Sequence, residues 1–285
     1  MNTYWVYENI KKQPSFYNKL DVLLLLCSGV LWKKHHPTHT TVLYCDKLTE
    51  SFLKTINASS IWDKIKIAPE NKHVDKSIFW ASSKLEVLRY VEAPCILMDH
   101  DFLAYKSFDK YLNDIPVFTQ DENGERYYPT AYDPFIRKVN DLIPRPQPYA
   151  INCSFMYFTD TQFVNRYGKF SLELMERFTQ LKVPNSKFLI FAEQLGLKYL
   201  LDFFKIEYNT LLNEKWNPGE GKYEPNDKGI FSVEESLTIF RHYWLDKPRI
   251  KNSKEGFSFE TEIRILFNIL SSFKELNLKV INDLK

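Results

Sequence analysis

The sequence predicts an α/β protein, a mostly parallel sheet flanked by helices with a helical tail at the C-terminus. Three observations lead there. Segments rich in β-formers alternate with stretches of helical length over the first hundred residues. One of those segments, Cys95-Ile96-Leu97-Met98, is apolar without interruption, like a strand covered on both faces of a parallel sheet. It runs straight into Asp99-His100-Asp101, two carboxylates at the end of a buried strand, where open α/β sheets present their ligands.

The elements follow in order. Thr3–Tyr7 reads as a first strand and 16–34 as a long helix closed by His35-His36-Pro37. Thr41–Cys45 is a second strand, and Asp46 turns the chain into a helix over 47–57. Lys64–Ile67 makes a short third strand. Ile78–Val91 is a helix with Trp80, Leu85, Leu88 and Val91 near one face, and Pro94 leads from it into the strand at Cys95. Beyond Asp101 come a strand at Ile115–Thr119, a polar turn at Asp121–Gly124 and an extended connector marked by Pro144, Pro146 and Pro148. Ala150–Phe158 is a buried strand interrupted by Asn152 and Ser154, followed by helices over 160–180 and 187–203. Residues 213–230 hold three of the eight glycines, a composition suited to a mobile lid or to an exposed connector. Ser236–Trp244 reads as a strand or extended segment. Phe259, Ile263, Leu266, Leu270 and Phe273 form a helical stripe whose default role is core packing, with a membrane-surface or partner-binding helix as the minority reading. The expected division is a domain over 1–250 and a helical extension over 251–285 packed on it.

The chain has 285 residues, 44% of them hydrophobic, and a formal net charge of +2, a near-neutral balance that gives no electrostatic footprint for nucleic acid, so no nucleic-acid partner is expected. Aromatic residues make up 16% of the chain and are expected mainly in the core. Cys27, Cys45, Cys95 and Cys153 lie in apolar segments without paired spacing and read as buried reduced thiols, so the expected compartment is cytoplasmic. Met1–Asn9 lacks the pattern of a signal peptide, and the most apolar run, Val22–Trp32, is too short to span a bilayer. No membrane association is evident. His35, His36 and His39 fall in a loop containing Pro and Thr and are expected to be exposed. No phosphate-cradling glycine motif and no nucleophile elbow occurs.

Asp99 and Asp101 are the leading candidates for chemistry. If the strand continues through His100, the alternation of side chains points both carboxylates one way and His100 the other. Two hard oxygen ligands suit Mn²⁺ or Mg²⁺ carrying a substrate's phosphates, and a solvated or helix-capping pair is the bland alternative. Lys84 reads by itself as an ordinary exposed helix lysine. Asn152 and Ser154, polar in an apolar strand, need partners from a ligand hydroxyl or from neighbouring groups. Glu193 lies on an otherwise apolar helix, so it is paired in a salt bridge or faces a cleft. His242 is a lone histidine, a type more often structural, although imidazole is a reasonable Mn²⁺ ligand beside carboxylates.

Together these residues resemble the nucleotide-sugar glycosyltransferases of the GT-A fold, nearest the glycogenin and bacterial galactosyltransferase group, from about Thr3 to Pro248. The resemblance implies that Asp99 and Asp101 hold Mn²⁺ or Mg²⁺ against the donor diphosphate and that Lys84 touches the donor. Asn152-Cys153-Ser154 stands where the group has an Asn-Ala-Gly turn on the donor sugar, with Ser154 replacing Gly. Glu193 and Gln194 match the acidic residue and Gln placed beneath the reacting face of the sugar. His242-Tyr243-Trp244-Leu245-Asp246-Lys247-Pro248 resembles a His-x-x-Gly-x-x-Lys-Pro-Trp motif, one residue shorter and without its Gly. It implies a metal ligand at His242 and a diphosphate contact at Lys247. The implied activity is metal-dependent transfer from a UDP-sugar, with retention, to an acceptor that is a glycan, a lipid-linked sugar or a protein. Two alternatives stand beside it. One is a non-catalytic scaffold of the same fold that binds nucleotide or glycan. The other is an Asp-x-Asp phosphatase, ranked behind because the motif starts at residue 99 and Leu103 stands where that family has Thr or Val.

Overall fold

The structure, a computed structural model, describes residues 1–9, 18–123, 129–130, 132–144, 149–217, 220–243, 247, 259–274 and 276–283. In chain order the elements are β1 (Asn2–Tyr7), α1 (Lys19–His35), β2 (Thr40–Cys45), α2 (Lys47–Thr55), β3 (Lys64–Ile67), α3 (Ser82–Leu88), β4 (Cys95–Met98) and β5 (Phe102–Ala104). They continue with β6 (Val117–Asn123), α4 (Pro134–Arg137), β7 (Tyr149–Phe158), α5 (Thr161–Gln180), α6 (Lys187–Ile190), a π-helical turn at Phe191–Leu195 and α7 (Gly196–Phe204). The last are β8 (Asn209–Leu212), β9 (Glu214–Asn217), β10 (Lys222–Pro225), β11 (Gly229–Phe231), α8 (Val233–Ser236), β12 (Phe240–His242) and two C-terminal helices, Phe259–Leu270 and Leu278–Asn282. Two compact units result: Met1–Ala68 with Leu97–Tyr111 and Ser236–Lys285, and Pro69–Ile96 with Leu112–Glu235.

In the first unit β2 lies between β1 and β3, parallel to both, and β4 lies on the other side of β1. Both helices of this region start at a side-chain cap, with the Leu20 N–H donating to Asn18 and the Thr49 N–H to Asp46, each at 2.9 Å. Helix α1 is apolar around its circumference, with Leu20 and the whole of Val22–Cys27 buried, the pattern of a helix enclosed on every side. Its buried Ser28 is fully used: Trp5 Nε1 donates to the hydroxyl at 2.9 Å, and the hydroxyl donates to Phe102 O at 2.8 Å. Ile263, Leu266 and Leu270 of the C-terminal helix are buried, and Cys27 Sγ reaches Leu266 O at 3.4 Å, so these three residues of the tail's apolar stripe are core; Phe273 is half-buried.

The second unit is built on β7, buried over Ala150–Phe158 and antiparallel to β6. Strands β8 and β9 run parallel to β6, and β10 folds back antiparallel on β9. Helix α5 lies against α3 at Gly168, where a Cβ would come within 2.7 Å of Leu85 O. Asn165 Nδ2 then satisfies the end of α3 by donating to Leu88 O at 2.8 Å and Val91 O at 3.0 Å.

Several elements depart from the expectation. The predicted helix over Ile78–Val91 is helical only over Ser82–Leu88. Ahead of it Asp75 holds a separate turn, its carboxylate accepting from the N–H and the hydroxyl of Ser77 and its carbonyl from the Phe79 N–H at 2.9 Å, and Trp80 is exposed and not on a core face. The stretch over 213–230 is not a loop but carries β9, β10 and β11; Trp216 and Tyr223, opposite each other in β9 and β10, bring their rings to 5.0 Å. The strand predicted to end at Thr119 continues to Asn123, through most of the predicted turn. His36 and His39 are not exposed: His36 stacks on Trp32 with ring centroids 3.6 Å apart, and His39 Nε2 lies 3.3 Å from Asp109. Pro146, Pro148 and Trp244 lie outside the described residues. The four cysteines are free and buried, and among the described residues no helix is long and apolar enough to cross a membrane.

Candidate active site

In the first unit β4 stops at Met98, and the chain turns, with the Phe102 N–H donating to Asp99 O at 3.1 Å. Strand β5 leaves that turn and pairs antiparallel with β12, which sets His242 opposite Phe102. The Tyr243 N–H extends the pairing to Asp101 O at 3.0 Å. One ligand atom from each of Asp99, Asp101 and His242 then falls within 4.8 Å of the others. The two carboxylates therefore meet through a turn, not through the alternation of an extended strand. His100 does not face away either: its Nε2 lies 3.0 Å from Lys247 Nζ, and its ring stands edge-on to Tyr7 at 5.1 Å.

Lys247 completes the cluster. Its ammonium lies 2.8 Å from Asp101 Oδ2 and 3.1 Å from Asp21 Oδ1. Burial works against the charge on Asp101, yet His242, His100 and Lys247 outweigh it and hold the carboxyl well below its usual range. The same balance acts on Asp21, where burial is outweighed by His100 and Lys247. Lys247 responds in kind, its pKa raised because Asp101 and Asp21 overcome the cost of burial. Two carboxylates are hard donors that fit Mn²⁺ or Mg²⁺, the added borderline imidazole suits Mn²⁺ better than Mg²⁺, and the ammonium drawn onto Asp101 shows that the site favours positive charge. Asp21 is the residue sequence reasoning missed. Its signal was an acid in the first turn of a helix otherwise built from buried leucines.

The second unit holds the other candidates. Lys84 is not an exposed lysine: it is 7% exposed, its Nζ lies 2.8 Å from Glu193 Oε1, and it donates to Cys153 O at 2.7 Å. Glu193 sits in the π-helical turn, where one extra residue per turn shifts side chains off the regular α-helical face. The Tyr167 hydroxyl donates to Glu193 O at 3.1 Å, fixing that turn from α5, and half-buried Gln194 follows in the same turn. Asn152 Nδ2 donates to Glu122 Oε1 at 2.8 Å, while its Oδ1 accepts from the Ser154 N–H at 3.0 Å. Ser154 Oγ and Thr119 Oγ1 share a hydrogen bond of 2.8 Å. The partners required by these two polar residues thus come from β6 and from β7 itself. Asp99, Asp101, His242 and Lys247 come together in one unit, and Lys84 joins Glu193 and the Asn152–Ser154 strand in the other.

No family model matches the sequence, and no curated protein does. The fold is nonetheless that of the GT-A class, with a mostly parallel sheet flanked by helices. It is similar to the galactosyltransferase LgtC, solved in complex with donor and acceptor sugar analogs, at 11% identity over 97% of this chain and 96% of that chain, with a TM-score of 0.50. A glycosyltransferase named PaToxG matches over 72% of this chain and 69% of its own at 12% identity, with a TM-score of 0.43. The LgtC likeness establishes the fold.

Proposed function

We propose that the chain is a metal-dependent glycosyltransferase that takes a sugar from a nucleotide-diphosphate sugar, of the UDP type, and passes it to an acceptor hydroxyl with retention. The observation that carries this is the convergence of Asp99, Asp101 and His242 within 4.8 Å at the end of a buried strand. In the reaction the bond between the anomeric carbon and the diphosphate breaks with its electron pair leaving on phosphate oxygen, and the acceptor oxygen bonds to that carbon and passes its proton to the departing phosphate oxygen. A bound divalent cation supplies positive charge against the leaving diphosphate. Asp99, Asp101 and His242 would hold that cation. The ammonium of Lys247 neutralises part of the charge that develops on the diphosphate, which counts only as the bond breaks. To Glu193, oriented by Lys84, we assign the sugar's hydroxyls and the electron-poor anomeric centre, and Gln194 follows it in the same turn. Asn152 and Ser154 are assigned to recognition of the donor sugar.

Calorimetric titration of UDP with and without Mn²⁺ tests the reading, together with a panel of nucleotide sugars scored for release of free nucleotide. Metal-dependent binding and turnover of at least one donor are expected, and Asp101→Ala abolishes both while far-UV dichroism is unchanged. UDP binding that is indifferent to Mn²⁺, or a panel with no turnover, overturns it.

A further inference from the structure

Lys247 is fully occupied. An ammonium has three N–H bonds, and Lys247 Nζ has three polar neighbours, Asp101 Oδ2 at 2.8 Å, His100 Nε2 at 3.0 Å and Asp21 Oδ1 at 3.1 Å. Only one of these three, Asp101, belongs to the candidate metal set; Asp21 reaches the lysine from the first turn of α1. An acid at that position commonly just complements the helix dipole in solvent. Here its side chain is 24% exposed and engaged with Lys247 and, at 3.7 Å, with His100. His100 is in turn held against Tyr7, so the lysine has a fixed seat that does not depend on Asp101. A divalent cation on Asp101 and an ammonium on the same carboxylate repel each other strongly in a partly buried site. Both cannot keep their shortest contacts.

We infer that Lys247 is an internal counter-ion which a divalent cation must displace from Asp101, and that Asp21 is the positioning residue that sets how firmly the lysine competes. This rests on the metal-site reading above and adds a competitor to it. In the metal-free protein the ammonium neutralises Asp101. With a divalent cation bound, it gives up Asp101 and keeps Asp21 and His100, which leaves one N–H bond free at the edge of the site. Asp21 acts only through Lys247, so its effect on metal affinity must vanish when the lysine is absent.

The test is Mn²⁺ affinity of the full chain, read from the paramagnetic resonance signal of free Mn²⁺, with no nucleotide present. Lys247→Met binds Mn²⁺ about tenfold or more tighter than wild type. Lys247→Gln, which keeps polar contacts without the charge, shows the same direction and stands in if the Met variant does not fold. Asp21→Asn also binds more tightly, by a smaller factor, and Asp21→Glu returns the affinity towards wild type. The double variant Asp21→Asn with Lys247→Met binds no more tightly than Lys247→Met alone. If Lys247→Met and Lys247→Gln gain nothing while Asp101→Ala still abolishes Mn²⁺ binding, the competition is refuted and the metal site survives. If Asp21→Asn weakens Mn²⁺ binding, Asp21 is a ligand and the positioning role is refuted. If neither wild type nor Lys247→Met binds Mn²⁺, the metal-site reading falls and the competition with it.

Discussion

Glu193→Gln separates a buried ion pair from everything else in the second unit. Both side chains of the Lys84–Glu193 pair are 9% exposed, and Nζ to Oε1 is 2.8 Å. The substitution keeps shape and volume and removes one charge, leaving the Lys84 ammonium buried with Cys153 O at 2.7 Å as a hydrogen-bond acceptor. Breaking one partner of a buried pair costs about 3–5 kcal/mol because the remaining charge is uncompensated. The amide oxygen of Gln can still accept from Nζ, so the lower end, about 3 kcal/mol, is expected here. In a chain of this size that is a fall in Tm of roughly 5 °C. Scanning calorimetry of wild type, Glu193→Gln, Lys84→Met and the double variant closes the cycle. The double variant is expected to be more stable than Glu193→Gln, with a coupling of about 2 kcal/mol, because the stranded charge has gone. Single-variant losses that simply add, or a Glu193→Gln protein within about 1 kcal/mol of wild type, would show that the carboxylate is not the counter-charge of Lys84.

Two further outcomes follow from buried groups. His36 is fully buried on Trp32, and burial, only partly offset by Asp109, lowers its pKa from 6.5 to about 4. The unfolded chain therefore binds more protons between those values, so the stabilising contribution is complete above pH 6.5 and lost as pH falls towards 4. That interval corresponds to about 3 kcal/mol, so the stability difference between wild type and His36→Asn should shrink by that amount from pH 7 to pH 4, and a constant difference would refute it. Gly168→Ala places a methyl 2.7 Å from Leu85 O and 3.1 Å from Leu88 Cβ, both on α3. Rigid backbone on one side makes a loss of about 1–3 kcal/mol by urea denaturation the expected result, and an unchanged midpoint would show that α3 and α5 can part freely.

What was legible in the sequence was what short-range pattern carries. The strands Thr41–Cys45, Lys64–Ile67, Cys95–Met98 and Ala150–Phe158 stand within a residue of their expected positions, because short runs rich in β-forming or apolar residues and bounded by turns leave little choice. The apolar spacing over Ile78–Val91 overstated the helix, which starts only at Ser82 after a separate turn held by Asp75. Cross-strand pairing defeated composition at 213–230, where Gly and Pro counted for less than the Trp216–Tyr223 contact. The histidines show the same limit: His36 accepts from the Phe108 N–H at 3.1 Å, a partner far along the chain that no property of the Pro-containing loop announces.

The candidate site divides along the same line. Two acids after an apolar strand pointed to Asp99 and Asp101, and the resemblance of residues 242–248 to a family motif pointed to His242. The reason those residues meet was not written there. It lies in a turn at Asp99–Phe102 followed by the pairing of β5 with β12, and a turn closes the two carboxylates together where an extended strand would have carried His100 away. Once the turn replaces the strand, His100 must lie on the same side as its neighbours, and a cation that contacts Asp101 will meet His100 as well. Lys247 does so, and Asp21 supplies the second negative charge that makes such a seat favourable for a buried ammonium. The motif specified the acids. The fold specified which positive charge they hold first.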